Sequence, residues 1–416
     1  MTLEFDKVVP QVATMGRALA ARNSTDSQRF EDVWAEFQRL TDLDIVKARI
    51  ELVRERDAGY RGVAPLDGSP EALNQAYALP DGPARATIIA ADGSQIYPSI
   101  HAAALYYLTN IGVLVYHDGC DDLPEPFTEP KLFYADSDLR NDGQLITNDT
   151  VNARRTLAEL QTLARAAWER RTLEHELLAI SDGPLMFWVR NETPNREALE
   201  QGYFEALRQL QDTDTYMQEA HAHRASLVGY VDRPTSAFVI SLLHLMRLEK
   251  DEVRLGALKG NGNWDGLIDQ MLMARLLQPG ERSALFVQQS PQNKRYRYDW
   301  GENYEIAFFY VNVVPQGEGF HLARVEMPVW VAREPKMVDH VHALIYRQCQ
   351  LMWRYPYALT RADELAVVRG HEKAELDQLI EIELRRNEQS VEHSEKLDSK
   401  TVRSGRTRYG QKARAR

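Results

Sequence analysis

The chain has 416 residues, of which 44% are hydrophobic and 9% aromatic, enough for one large domain or up to about three ordinary ones. Its formal net charge of −11 argues against general adhesion to nucleic acid. The first residues lack the apolar run of a signal peptide, and no window approaches the roughly 18 apolar residues of a membrane span. We therefore expect a cytoplasmic protein without a membrane partner. Its two cysteines, Cys120 and Cys349, fit no metal spacing and are expected to be unpaired.

Residues 1–80 predict an N-terminal helical segment followed by a linker. The stretch "FEDVWAEFQRLTDL" repeats apolar residues at spacings of three and four, which describes one helix face. That face is either core or a contact with a partner helix. A Gly-, Pro- and Ala-rich stretch follows, so we expect the main domain to span residues 81–385.

Two apolar strands run directly into Asp-Gly pairs. The first, "IIAADGSQIYPS", reaches Asp92 and Gly93, and the second, "LLAISDGPLMFWV", reaches Asp182 and Gly183. A single Asp-Gly pair most often marks a turn in which the glycine takes a positive φ. Two strands that each end in a carboxylate, with a helix predicted between Thr150 and Leu178, can instead place several oxygens around one point. Such oxygen ligands suit Mg²⁺ or Mn²⁺.

The C-terminal half alternates helical and strand patterns. Residues 195–280 predict a mostly helical insertion, and Asn110-Ile111-Gly112 earlier in the chain predicts a turn between strands. In "GYVDRPTSAFVISLL", Thr235 or Ser236 either caps a helix or, with Arg233, binds a phosphate. His342 lies on an apolar helix and is expected to be a core residue rather than a ligand.

Positive charge is concentrated in two places despite the acidic composition. Residues 396–416 hold 8 Lys and Arg against one Asp, so residues 386–416 predict a disordered basic tail, and the remaining chain carries about −18. The stretch "QNKRYRYDW" interleaves cations with aromatic rings. It is either a DNA-binding loop, with Lys294, Arg295 and Arg297 beside tyrosines, or an ordinary surface hairpin.

The ordered motifs resemble the NurA nuclease family over most of residues 85–370. They are "AADGSQIYPS", the helix with Arg155 and Glu159, "LAISDGPL", "GYVDRPTSAFVISLL", "FHLARVEMP" and "YPYALTRADELAVV". The resemblance implies an α/β fold with an RNase H-like mixed central sheet flanked by helices. It also implies an Mn²⁺-dependent DNA nuclease, with Mg²⁺ as the alternative metal, that has 5′–3′ exonuclease and single-strand endonuclease activities. A HerA-like hexameric translocase and a second copy of the chain are the implied protein partners.

Carried onto this sequence, the family motifs select four acidic residues as catalytic metal ligands: Asp92, Glu159, Asp182 and Asp363. Glu174 and Glu176 remain alternatives to Glu159, since the helix phase does not separate them. Asp363 stands where some members carry His, and its alternative interpretation is a solvated helix residue. Expected DNA contacts are Arg233, Ser236, Arg295 and Arg324. Two other functions stay open: a catalytically decayed adaptor of the same fold, and a hydrolase of small phosphate esters.

Overall fold

The computed structural model describes residues 4–56, 59–141, 143–211, 225–254 and 256–387. Residues 388–416 of the predicted basic tail lie outside the described residues. The chain divides into two compact units. The first unit comprises residues 1–86, 173–186 and 213–357, and the second comprises residues 87–172, 187–212 and 358–416.

Both units combine helices with strands, so the predicted α/β class is confirmed. The described strands are β1 (Val63–Pro65), β2 (Ala86–Ile96), β3 (Tyr107–Asp118), β4 (Glu125–Phe133), β5 (Arg140–Asn141), β6 (Gln144–Leu145), β7 (Glu176–Asp182), β8 (Ala225–Asp232), β9 (Phe286–Gln288), β10 (Ile306–Asn312) and β11 (Leu322–Pro328). The described α-helices are α1 (Phe5–Gln38), α2 (Leu43–Arg56), α3 (Asp136–Leu139), α4 (Asn148–Glu169), α5 (Arg196–Gln211), α6 (Phe238–Arg247), α7 (Asp269–Leu276), α8 (Pro291–Trp300), α9 (Val329–Ala332), α10 (Pro335–Leu351), α11 (Tyr357–Ala366) and α12 (Gly370–Arg386).

Six strands of the first unit lie in the order β1-β9-β10-β11-β8-β7. Neighbours from β1 to β8 are antiparallel, whereas β7 and β8 are parallel, which makes this a mixed arrangement. The parallel register pairs Asp182 with Tyr230, two residues before Asp232. Because side chains alternate along a strand, Asp182, Tyr230 and Asp232 share one face at the carboxyl ends of β7 and β8.

The N-terminal helices belong to the hydrophobic core of the first unit. Val33, Phe37 and Leu40 are buried in the same cluster as Leu242 of α6 and Phe308 of β10. Of the two interpretations of the apolar helix face, the structure therefore confirms burial in the core. Because one face of the helix is buried in this core, apolar residues recur along its sequence about every 3.6 positions.

In the second unit, strands β2, β3 and β4 are successive neighbours. Strand β2 continues through Asp92 and Gly93 to Ile96, so the turn predicted at this Asp-Gly pair is wrong. Strand β3 likewise runs unbroken through Asn110 and Gly112, where a turn was predicted. Neither glycine has a positive φ. At both glycines, a helix instead packs so close to the strand that there is no room for a Cβ atom.

Two further segments differ from the sequence pattern. Helix α4 ends at Glu169 and β7 begins at Glu176, so the helix predicted as far as Leu178 is too long. Residues 195–280 contain strand β8 as well as helices, because a short, mainly apolar segment fits a buried strand as well as a helix. Within the described residues, none of the helices combines the length and apolar character needed to cross a bilayer.

Candidate active site

Asp92 lies within β2 and is half-buried. The residue after it, Gly93, lets helix α4 come close to the strand. A Cβ atom at Gly93 would lie 2.4 Å from Oε1 of Glu159 and 2.9 Å from Cγ of Arg155. The Glu159 side chain of α4 therefore lies directly against the strand backbone beside Asp92. Glycine is required here for close approach of a helix and not for a turn.

Helix α4 holds Glu159 in place through its own polar contacts. Thr147 caps the helix by accepting from the Thr150 amide. One turn before Glu159, Arg155 lies with Nε 3.0 Å from Glu159 Oε1 and donates from Nη1 to Gln95 Oε1 at 2.9 Å. Glu159 is 8% exposed, so its charge is balanced by a neighbouring guanidinium instead of by bulk water.

The structure also separates Glu159 from its two alternatives. Glu174 and Glu176 follow the end of α4, and Glu176 opens β7, where its carboxylate lies near Lys336 and His340. Of the three candidates, only Glu159 lies on the helix. Its role as a metal ligand stays a prediction.

Helix α11 likewise comes close to the backbone of β3, at Gly112. A Cβ atom at Gly112 would lie 2.4 Å from the carbonyl oxygen of Ala362 and 2.4 Å from the amide of Ala366. The side chain of Asn110 donates to the Ala366 carbonyl at 2.8 Å, which satisfies a carbonyl near the end of the helix. Asp363, on the same helix, has an exposed side chain. Both of its interpretations, ligand and solvated helix residue, remain open.

In the first unit, Asp182 ends β7 and is followed by Gly183 with φ +81°, the positive φ that is typical of an Asp-Gly turn. The Tyr355 hydroxyl donates to Oδ1 of Asp182 at 2.7 Å. Tyr355 also packs edge-on against Tyr230, with ring centroids 5.2 Å apart. The hydrogen bond and the ring contact together fix the orientation of the Asp182 carboxylate.

Tyr355 was not predicted as a partner of Asp182. The available signal was its place at the start of the last family motif, since a tyrosine there can donate to a carboxylate. The two preceding residues, Trp353 and Arg354, have φ values of +47° and +81°. Left-handed backbone at two consecutive non-glycine residues is costly, and such strain clusters at functional sites.

A second carboxylate, Asp232, ends the neighbouring strand and was also missed. Its Oδ1 lies 2.6 Å from Nε2 of His321, and its Oδ2 lies 3.2 Å from Nε of Arg233. Arg233 has φ +41° and a side chain that is 72% exposed. This exposure is compatible with its predicted DNA contact, which stays a prediction.

Arg324 and Ser236 lie in a largely buried hydrogen-bonded network, and their predicted contacts with DNA stay predictions. Arg324 is 8% exposed, pairs with Glu326 at 2.8 Å and donates to Ser236 Oγ at 3.0 Å. Ser236 in turn shares a hydrogen bond with Tyr310. The guanidinium is thus engaged by partners within the first unit, and its removal would leave the Glu326 carboxylate buried without its ion pair.

The same network overturns the predicted capping of α6. The carboxylate of Asp269 accepts from the Val239 and Ile240 amides, and the Tyr310 hydroxyl donates to it at 2.7 Å. Burial raises the pKa of Asp269 to about 6, although these hydrogen bonds act in the opposite direction. Asp269, and neither Thr235 nor Ser236, therefore caps the helix from a position about 30 residues away in sequence.

The basic and aromatic stretch "QNKRYRYDW" forms helix α8, not the predicted loop or hairpin. Ser290 caps this helix, and Pro291 occupies its first turn. Arg295 pairs with Asp299 at 3.0 Å. Tyr296 is 2% exposed and Tyr298 is 90% exposed, because they lie on opposite sides of the helix.

The core position predicted for His342 is confirmed, and both cysteines are unpaired as expected. His342 is 1% exposed, its Nε2 lies 2.7 Å from the Gly280 carbonyl oxygen, and burial lowers its pKa to about 3. Cys120 and Cys349 form no disulfide. A neutral buried histidine of this kind belongs to the core.

The donor chemistry of the predicted ligands suits a hard divalent cation, since all four are carboxylates. Among residues 4–56, 59–141, 143–211, 225–254 and 256–387, no cluster of three or more His, Cys, Asp or Glu side chains is arranged to hold a metal ion. In the structure, the Glu159 side chain lies against the backbone of Gly93, and the Asp182 carboxylate accepts a hydrogen bond from Tyr355.

Comparison with known proteins extends this geometry. The NurA domain family matches residues 86–368, and no curated protein matches the chain. Among solved structures, the NurA nuclease from Sulfolobus solfataricus is similar with a TM-score of 0.43 and 11% identity, over 89% of this chain and 98% of that one. The C-terminal lobe of a budding yeast Argonaute has a TM-score of 0.27 and 10% identity, over 67% and 45% of the two chains. Drosophila Piwi has a TM-score of 0.29 and 11% identity, over 67% and 29%.

The matched region contains both Asp-Gly strands, helix α4 and helix α11, and it spans more than half of the chain. The chain therefore belongs to the NurA domain family, the family of nucleases that its motifs resemble.

Proposed function

We propose that this protein is a metal-dependent deoxyribonuclease that hydrolyses phosphodiester bonds. The observation that carries the proposal is the family match over residues 86–368, which includes all four predicted carboxylates. The position of Glu159 against Gly93, close to Asp92, supports it, because a buried carboxylate held by one arginine beside a second carboxylate is the kind of donor set that a divalent cation binds.

Asp92, Glu159, Asp182 and Asp363 are the proposed metal-holding residues. When bound, a divalent cation supplies charge stabilisation for the scissile phosphate and lowers the pKa of an attacking water. Arg155 orients Glu159 through their ion pair, and Tyr355 orients Asp182 through its hydroxyl. Side chains fixed in this way reduce the reorganisation that the reaction requires.

The finer properties of the proposal follow from the family resemblance. They are dependence on Mn²⁺ with Mg²⁺ as the alternative, 5′–3′ exonuclease and single-strand endonuclease activity, and an RNase H-like core. A HerA-like hexameric translocase, a homodimer and a cytoplasmic location complete it. Arg233 and Arg295 are the proposed DNA contacts that have accessible side chains in the structure.

The proposal is tested with labelled single- and double-stranded DNA in the presence of Mn²⁺, Mg²⁺ or EDTA. The variants are Asp92→Asn and Asp182→Asn, which remove a charge and keep the shape of the side chain. Asp136→Asn is the matched control, since the Asp136 side chain is 95% exposed and lies outside the predicted site. We expect the wild type and the control to cleave DNA with metal and not in EDTA, and both site variants to be inactive but folded by circular dichroism.

Other outcomes identify the competing functions. Wild-type protein that binds DNA ends but cleaves neither substrate with either metal would indicate a decayed adaptor. Hydrolysis of small phosphodiesters without cleavage of polymers would indicate a small-molecule hydrolase. Full activity of Asp92→Asn or Asp182→Asn would refute the assignment of the site residues.

A further inference from the structure

A basic cavity of about 890 Å³ lies in the first unit, between the end of α2 and the start of α8. It is lined by five cationic side chains and one carboxylate, Glu305. The lining thus carries an excess of four positive charges, whereas the chain as a whole has a net charge of −11. The five cations are Arg54, Arg61, Lys259, Lys294 and Arg297.

The strand order separates this cavity from the carboxylate at the end of β7. Gln288 of β9 lines the cavity, and β9 lies four strands away from β7 within the first unit. At a spacing of about 4.8 Å between strands, the two positions are roughly 19 Å apart along the sheet. The cavity is therefore a different site from the one at which Asp182 lies.

Helix α8 presents its cations from a rigid position. The side chain of Asn293 donates to the carbonyls of Gln288 and Ile306 and accepts from the Ile306 amide, which fastens the helix to β9 and β10. Tyr296 is buried on the same side of the helix as Asn293. Lys294 and Arg297 consequently lie on the exposed side of a fixed helix.

On the opposite wall of the cavity, Tyr60 is held by two hydrogen bonds to the backbone of Val63. The Tyr60 hydroxyl donates to the Val63 carbonyl at 2.8 Å and accepts from the Val63 amide at 3.0 Å. Gly59, which also lines the cavity, has a φ of +76°. The residues of this wall precede the family match, which begins at residue 86.

The cations of the cavity are only partly neutralised. Arg297 lies 3.5 Å from Glu305 and 3.7 Å from Glu302, and Arg54 pairs with Glu51. Burial raises the pKa of Glu305, which weakens it as a counter-charge, although Arg297 and Arg54 oppose this shift. Three remaining cations have no carboxylate partner within the part of the chain that the structure describes: Arg61, Lys259 and Lys294.

We propose that this cavity binds the phosphate backbone of a single DNA strand. Unpaired lysine and arginine side chains in a groove are the chemistry that recognises consecutive phosphates. Tyr298 follows Lys294 by one helical turn and is 90% exposed, so its ring is available for stacking with a base. This inference rests on the proposed nuclease function, because the strand held here is the substrate of that activity.

The test measures equilibrium binding in EDTA, so that it does not depend on cleavage. A fluorescently labelled oligo-dT of about 15 nucleotides is titrated at several salt concentrations against the wild type and Arg61→Ala/Lys259→Ala/Lys294→Ala. The control is Arg17→Ala/Lys47→Ala/Lys336→Ala, which removes the same charge from exposed positions that do not line the cavity. Thermal melting confirms that each variant is folded.

Each phosphate contact with a single strand contributes about 0.7 to the slope of log Kd against log salt. Loss of three contacts therefore lowers the slope by about 2 and weakens binding 10- to 100-fold near 0.1 M salt, whereas the control changes Kd by less than about twofold. In contrast, Asp92→Asn should abolish cleavage and leave binding intact, which separates failure of this inference from failure of the proposed activity.

Three results would overturn the inference. The first is equal loss of binding in the control, which would show only a nonspecific charge effect. The second is displacement of the oligonucleotide by an equal nucleotide concentration of dTMP, which would identify a small-phosphate site. The third is equally effective competition by poly-glutamate, which would identify a site for acidic protein segments.

Discussion

Substitution of Gly93 by alanine tests the closest contact of the candidate site. The new Cβ atom would lie 2.4 Å from Oε1 of Glu159, whereas ordinary van der Waals contact begins near 3.4 Å. The carboxylate must therefore move by about 1 Å, and Cγ of Arg155 and Cδ1 of Ile111, at 2.9 and 3.0 Å, limit where the methyl group can go. Overpacking of this kind costs about 1–3 kcal/mol.

The loss of stability is measured by urea unfolding and the loss of activity by DNA cleavage. A 1 Å displacement of a catalytic group costs about 100-fold in rate, so we expect a folded but weakly active Gly93→Ala protein. Gly370→Ala is the control, since nothing lies within 4 Å of its added Cβ atom, and it should change stability by about 0.5 kcal/mol or less.

A double variant identifies the source of the clash. In a Glu159→Ala background, Gly93→Ala should cost less than in the wild type, with a coupling free energy of about 0.5–3 kcal/mol. If Gly93→Ala unfolds at the wild-type urea concentration and cleaves DNA at the wild-type rate, the packing of Glu159 against β2 is wrong.

Two further predictions concern the first unit. Arg324→Met should destabilise the protein by about 3–5 kcal/mol in urea unfolding, because Glu326 is left buried without its ion-pair partner; unchanged stability with weakened DNA binding would contradict this and support the predicted DNA contact instead. Because burial lowers the pKa of His342 to about 3, stability is present above the unfolded value near 6.5 and falls with pH below it. The unfolding free energy should therefore be about 1.4 kcal/mol smaller at pH 5.5 than at pH 7.5 from this residue. His342→Leu should remove that part of the dependence, and an identical pH profile would contradict it.

Local patterns in the sequence correctly indicated several features of the fold. The apolar repeat of α1, the apolar start of β2 and the positive φ of Gly183 each depend on residues within a few positions of one another. The unpaired cysteines and the core role of His342 also followed from composition and context. These features depend on backbone preferences and on the burial of one face, which a sequence displays directly.

Contacts between distant segments decided the rest. The hydrogen bond between Tyr355 and Asp182 joins residues 173 positions apart, and the capping of α6 by Asp269 crosses about 30 positions. Arg324 has the side-chain chemistry of a DNA contact, and only the tertiary structure shows that it is buried in an ion pair with Glu326. No local periodicity reports which distant partner satisfies a buried polar group.

The Asp-Gly pairs show this division most clearly. The sequence by itself determined that both follow apolar strands, that both belong to a recognisable ordered set of motifs, and that Asp92 and Asp182 are candidates for chemistry. Only the tertiary structure decided that Gly183 turns the chain while Gly93 lies within a strand. The physical reason is that a glycine is required both where φ is positive and where another element comes too close for a Cβ atom, and the sequence is the same in either case.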